Sequence, residues 1–269
     1  MKHPYVLLCV MALACVWSAS AQEVSYVFVA GHSSLQGFRL PAMPHPPGNA
    51  ADANRVALGK TLFFDPRLSG DGNMSCASCH NPALGWSDGL ATAKGVKSSV
   101  LGRATPTLFN VGYNSIHMWD GRKASLEDQA MGPMLADMEM HMDSVKLFEW
   151  LAANAGYREA FAKAFPGEPM NEATLSKAVA SFERTVVSQQ SGFDKWVAGE
   201  PKALSAQQVE GFKLFVGRAQ CVACHSGPNF SDNGFHNIGL ASGAGPTPDV
   251  GRFAIKAVKV NRGAFKTPT

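Results

Sequence analysis

The chain has 269 residues, 46% of them hydrophobic and 17% charged, with a formal net charge of +3. That apolar share is enough for one large domain or two small ones. The near-neutral balance, without any block of like charges, excludes a nucleic-acid footprint or a strongly cationic membrane-surface binder.

Lys2 and His3 open the chain, and Tyr5 to Trp17 carries no charge. Ala19-Ser20-Ala21 then supplies small residues, so residues 1–21 are expected to be a secretory signal peptide with Gln22 as the first mature residue. The apolar run is too short to span a bilayer comfortably, and export to the periplasm follows. Pro41 to Gly48 reads as a loop. Ala53 to Phe64 carries Val56, Leu58, Leu62 and Phe63 at helical spacing. Asp143 to Phe165 reads as two short helices broken near Asn154-Ala155-Gly156. Glu172 to Ser188 places Leu175, Val179, Phe182 and Val186 on one helical face behind an Asn171 cap. Ser191 to Lys202 is the expected hinge between domains. Ser205 with Gln208 forms a capping box that opens a helix to Phe215. Ser226 to Pro248 is rich in Pro, Gly, Ser and Asn and reads as loop.

Of six cysteines, Cys9 and Cys15 fall in the signal. The other four form two pentapeptides, Cys76-Ala77-Ser78-Cys79-His80 and Cys221-Val222-Ala223-Cys224-His225. Thiols three positions apart on one helical turn can bond the two vinyl groups of a single haem. The adjacent histidine then supplies the proximal imidazole to the iron. A redox dithiol or a Cys/His zinc site would also use paired cysteines, but neither accounts for a histidine directly after both pairs. The spacing therefore predicts two covalently bound c-type haems, with His80 and His225 as iron ligands.

An internal echo accompanies the two sites. Gly59-Lys60-Thr61-Leu62-Phe63 is matched by Gly211-Phe212-Lys213-Leu214-Phe215. Trp86-Ser87-Asp88-Gly89 is matched by Phe230-Ser231-Asp232-Asn233-Gly234, and Thr105-Pro106-Thr107 by Thr267-Pro268-Thr269. The expected architecture is mainly α, with two cytochrome c-like domains at 22–195 and 196–269, each wrapping one haem in long loops. A long helical stretch follows Thr107 but nothing follows Thr269, so a C-terminal truncation of the second unit is expected, together with loss of the second iron's sixth ligand.

Further residues carry a family resemblance. Leu62 to Gly70 leads into the first cysteine pair, followed by Pro106-Thr107-Leu108-Phe109-Asn110, Trp119-Asp120-Gly121-Arg122, Leu126 to Ala130, Gly132-Pro133 and Glu139-Met140. The second half adds Phe235-His236-Asn237 and Phe265 to Thr269. From about Ala53 onward the chain resembles the bacterial di-haem cytochrome c peroxidases and their relatives of the MauG type. The resemblance implies a peroxide-reacting haem at His80 and an electron-accepting haem at His225. It implies that Trp119 carries electrons between them, and that Glu139 and Gln129 line the open face of the first haem. A carboxylate there can move the proton that O–O cleavage requires, and an amide can hold peroxide by hydrogen bonds.

The implied reaction is reduction of hydrogen peroxide to water with electrons from a small periplasmic protein, a cytochrome c or a cupredoxin. Two other readings remain: a MauG-like oxidation of residues in a partner protein, and a di-haem electron carrier without catalysis. Asn81 to Thr107 contains no histidine, although many family members carry a removable distal histidine there, so a first haem open without reductive activation is expected. His117 and His141 are the nearest alternative ligands, each expected to be structural or exposed. The methionines from Met131 to Met142 are expected in the core. Family members also bind calcium between the domains, but Ala104 stands where an asparagine ligand would be. Homodimers are common in the family.

Overall fold

A computed structural model describes residues 25–240 and 248–269; the expected signal peptide at 1–21 lies outside them. Among the described residues there are eight α-helices and one short strand pair. They are α1 (Ala53–Phe64), α2 (Cys76–Cys79), α3 (Leu126–Leu135), α4 (Ser144–Ala153), α5 (Ala155–Ala164), α6 (Glu172–Glu183), α7 (Gly192–Val197) and α8 (Ala206–Val216). Strand β1 (Phe235–His236) pairs antiparallel with β2 (Phe265–Lys266). The mainly helical expectation holds. No helix among these residues is long and apolar enough to cross a membrane.

The helices begin where polar caps satisfy their free N–H groups. Asp52 accepts from the Arg55 amide at 2.8 Å at the head of α1. Asn154 closes α4 and caps α5 in one residue, accepting from the Tyr157 amide. Asn171 and Thr174 reciprocate at the head of α6, as do Ser205 and Gln208 at α8. Asp65 ends α1 because Pro66 follows and disfavours helical backbone before it. Helix α6 stops at Glu183, short of the expected Ser188. The chain turns there so that the Val186 carbonyl can accept from the Asn110 amide at 2.9 Å.

Helix α6 is not a one-sided amphipathic helix but the central strut of the larger core, with Leu175, Ala178, Val179 and Phe182 all buried. Helix α1 crosses it so closely that a Cβ on Gly59 would overlap the Ala178 carbonyl. Phe63, Leu147, Leu151, Phe161 and the methionines Met131, Met134 and Met140 fill the rest. A second, smaller core gathers Leu35, Phe38, Trp196, Val197 and Phe212. The expected hinge is therefore corrected: Ser191 caps α7, whose Trp196 and Val197 are buried anchors of that second core. The second core also recruits residues far upstream, with Tyr26, Phe28, Leu35 and Phe38 packed on α7 and α8.

Glu183 is the polar exception in the larger core. It is 5% exposed, and its Oε2 has no hydrogen-bond partner among the described residues. The neighbouring Arg184 is committed elsewhere, donating to both oxygens of Glu127 at 2.7 and 3.0 Å. Burial pushes the Glu183 carboxyl up to about 8, with Arg184 opposing. A carboxyl raised by folding stabilises the native state fully below its unfolded value and loses that contribution as pH rises through about 8. Glu183→Gln should therefore gain on the natural protein as pH rises from 5 to 9. Urea unfolding at those two pH values checks this, and an equal difference at both would refute it.

Candidate active site

The first site is one turn of helix. Ser75 caps α2, which places Cys76 and Cys79 on one turn, and the His80 amide closes it on the Cys76 carbonyl at 2.9 Å. At the second site the turn is a tighter 3₁₀ one, Cys221–Ala223, yet the His225 amide reaches the Cys221 carbonyl at the same 2.9 Å.

Each imidazole is then oriented from behind. Nδ1 of His80 lies 3.1 Å from the Trp86 carbonyl, and Nδ1 of His225 lies 2.9 Å from the Phe230 carbonyl. In each ring this leaves Nε2 as the nitrogen that could face a metal, with the Pro106 carbonyl also close to the His80 ring. Both carbonyls come from an aromatic residue in left-handed backbone, φ 60° at Trp86 and φ 50° at Phe230, a conformation unusual for bulky side chains. A strap secures each strained turn. Ser87 Oγ donates to the Thr105 carbonyl at 2.9 Å, and Ser231 Oγ donates to the Thr267 carbonyl at 2.7 Å. The sequence echo is thus a structural one. It extends to the rings, because Phe63 meets Trp86 and Phe215 meets Phe230 edge-on, both at 5.9 Å between centroids.

The donor set fits a covalently held haem. None of Cys76, Cys79, Cys221 and Cys224 is tied up in a disulfide. Burial, with a smaller push from the Glu183 charge, raises Cys76 to about 12 and so keeps it in the thiol form. Burial also holds His80 below the usual imidazole range, partly offset by its bond to Trp86. A neutral ring with Nδ1 engaged presents the lone pair of Nε2 to a metal, the usual arrangement of a ligand histidine. Among the described residues no group of three or more His, Cys, Asp and Glu side chains converges as a metal cluster.

Glu139 is half-buried and joined to the first cysteine pair by the loop at 94–99. The Val96 amide donates to the Glu139 carbonyl at 2.8 Å, Ser99 Oγ to the Met138 carbonyl at 2.6 Å, and the Cys79 thiol lies 3.7 Å from the Lys94 carbonyl. Gly95 is required there, since a Cβ would press on Met138 and Glu139 backbone. Burial raises the Glu139 carboxyl above its ordinary range, opposed by Arg122. Trp119 sits on the loop 117–122 and stacks on Phe265 at 4.1 Å, while its carbonyl accepts from the Lys266 amide at 2.8 Å. Gln129 lies half-buried on α3, held by its backbone bond to Ser125, and is hydrogen-bonded to neither Glu139 nor Trp119. His117 is buried and driven down to about 4 by burial and by Lys266 and Arg184. His141 is exposed beside Asp137, 3.3 Å away.

A family model described as di-haem cytochrome c peroxidase matches residues 53–202. The chain belongs to this family. Family membership implies two c-type haems. Among relatives, the methylamine utilization protein MauG of Methylorubrum extorquens is 47% identical over 86% of this chain and 66% of its own length. The cytochrome c551 peroxidase of Nitrosomonas europaea is 36% identical over 85% of this chain and 69% of its own. The chain thus spans about two thirds of the length of these relatives. A solved MauG-like protein associated with microbial copper homeostasis superposes with a TM-score of 0.77 at 31% identity, covering 85% of this chain and 73% of that one.

Sequence reasoning missed the carbonyl partners of the two histidines. The echoed Trp86 and Phe230 were visible, but their left-handed backbone was not. It also missed the Arg103–Asp249 pair, which joins the two halves and ties in Asp120 of the Trp119-Asp120-Gly121-Arg122 motif. Replacing Cys221 and Cys224 by alanine should leave one haem attached, and replacing all four cysteines should leave none. Intact-mass measurement of the denatured protein reads both counts, and two haems retained on the double variant would break the assignment.

Proposed function

We propose that the protein reduces hydrogen peroxide to water in the periplasm, drawing electrons from a small redox protein, a cytochrome c or a cupredoxin. Cys76 and Cys79 hold the first haem with His80 as its ligand, and Cys221, Cys224 and His225 hold the second. The haems supply redox-active irons, one to meet peroxide and one to take up electrons from the donor. In this reading the first haem unit is residues 22–195 and the second 196–269, with residues 26–38 packed on the latter.

The observation that carries the proposal is the placement of Glu139. Its loop is bonded to the loop that also meets Cys79, and its carboxyl is raised by burial. Peroxide cleavage needs one proton moved from one oxygen to the other, and a carboxyl raised towards neutral pH both takes and returns it. Gln129 donates a hydrogen bond that orients the peroxide. Trp119, stacked on Phe265, links the first half to the second. No histidine stands on the 81–107 loop to block the first haem.

A second reading is favoured by the higher identity to the MauG protein than to the cytochrome c551 peroxidase. In it, the same residues consume peroxide, but the electrons come from side chains of a partner protein.

Peroxide-dependent oxidation of a reduced small cytochrome c separates the two, using the complete natural protein without prior reduction, with and without added calcium. Rapid turnover supports the peroxidase. No turnover, while peroxide still alters the haem spectrum, supports the MauG-like reading and overturns the first. Glu139→Gln should lower the peroxide reaction by about 10²–10⁴-fold with both haems still attached; an unchanged rate would remove Glu139 from the mechanism.

A further inference from the structure

The loop at 117–122 belongs to the first half, yet several of the contacts that fix it come from the second. Phe265 stacks on Trp119, and the Lys266 amide bonds the Trp119 carbonyl. Arg252 Nη1 donates to the carbonyls of Asp120 and Gly121 at 3.0 and 2.6 Å. Gly121, at φ 67°, lies where a Cβ would collide with the Phe235 ring. One side chain ties these contacts together. Arg103 grips Asp249 with two parallel bonds, Nε to Oδ2 at 2.7 Å and Nη2 to Oδ1 at 2.9 Å. Its third nitrogen, Nη1, donates to Asp120 at 2.8 Å. Asp120 is buried and also takes Arg122 at 2.7 Å. The Arg103 guanidinium stands 6.0 Å from the Trp119 ring centroid and 5.8 Å from that of Phe265.

We infer that Arg103 is a positioning residue that holds Trp119 against Phe265, and thereby sets the rate of electron exchange between the two halves of the protein. The inference rests on the proposed role of Trp119 as the electron path. The planar fork can hold two carboxylates and a ring in one geometry, which an ammonium cannot. Loss of the fork frees the residue beside Trp119 from its strut. Each exchange moves one electron from the second haem to the first, and Trp119 and Arg103 end as they began.

The test is a double-variant cycle on the complete natural protein with both haems attached. One haem is reduced by a light pulse, and the redistribution of the electron is followed by absorbance. Arg103→Gln should slow exchange by about tenfold or more, the scale on which small displacements act. Arg103→Lys should slow it similarly, while the spectra and midpoint potentials of both haems stay as in the natural protein. In a Trp119→Phe background, Arg103→Gln should add nothing further.

If Trp119→Phe slows exchange but Arg103→Gln does not, the inference falls and the role of Trp119 stands. An additional slowing by Arg103→Gln in the Trp119→Phe background would show a separate action and also overturn it, as would full rescue by Arg103→Lys. Unchanged exchange in Trp119→Phe overturns the electron path itself. Should Arg103→Gln fail to load both haems, Asp249→Asn removes the same arm from the other side and is read by the same outcomes.

Discussion

The bond from each of His80 and His225 back to a backbone carbonyl is the constraint on which the rest is built. A histidine on a flexible loop could turn either nitrogen outward. Here Nδ1 is taken by Trp86 or Phe230, so only Nε2 can face a metal. The carbonyl can point that way because an aromatic residue accepts left-handed backbone at a cost on the order of 1–3 kcal/mol. The surrounding core must hold that strain in place. Phe63, Phe64 and Phe182 crowd Trp86, and Phe193, Phe38 and Phe215 crowd Phe230. The serine straps to Thr105 and Thr267 close the turn from the other side. Helix packing, ring clusters and polar straps thus converge on the aim of a single nitrogen atom in each half.

The two halves differ in how polar groups are buried. In the first, Glu127, Arg184 and Asn49 bond one another, while Arg184 Nε and Glu183 Oε2 are left without partners among the described residues. Between the halves, Asp120 is held below the usual carboxylate range: burial acts to raise it, and Arg103 and Arg122 outweigh that effect. Buried pairs of this kind contribute little net stability but penalise every other geometry. At the seam, the result is a loop with little freedom to shift without leaving a charge unpaired.

Much of this was legible in the chain. Cysteine spacing pointed to both candidate sites, apolar patterning marked α1, α4 and α5, and the Asn171 and Ser205 caps marked α6 and α8, each to within a residue at its start. These signals are local, set by a few neighbouring side chains. What escaped was non-local or conformational. The end of α6 depends on Asn110, and the burial of α7 depends on rings that lie far away in sequence. The Arg103–Asp249 pair spans 146 positions, and neither residue carries a mark that names the other. The left-handed turns at Trp86 and Phe230 were hidden because nothing about the residue type favours them; the fold imposes them.

The segment at 26–38 has a consequence for how the molecule is assembled. Its Gln36 side chain bonds the Val197 carbonyl 161 positions away, and the Gly31 amide bonds Trp196. Tyr26, Phe28 and Phe38 thus all meet the Phe212 ring, far along the chain. The larger core also rests on a long-range pairing, α1 against α6. Closure of both cores thus depends on contacts of high sequence separation, the kind that slows folding. Until the second core closes, Phe230 has Phe193 and Phe215 beside it but lacks the Phe38 ring that completes the brace of its turn.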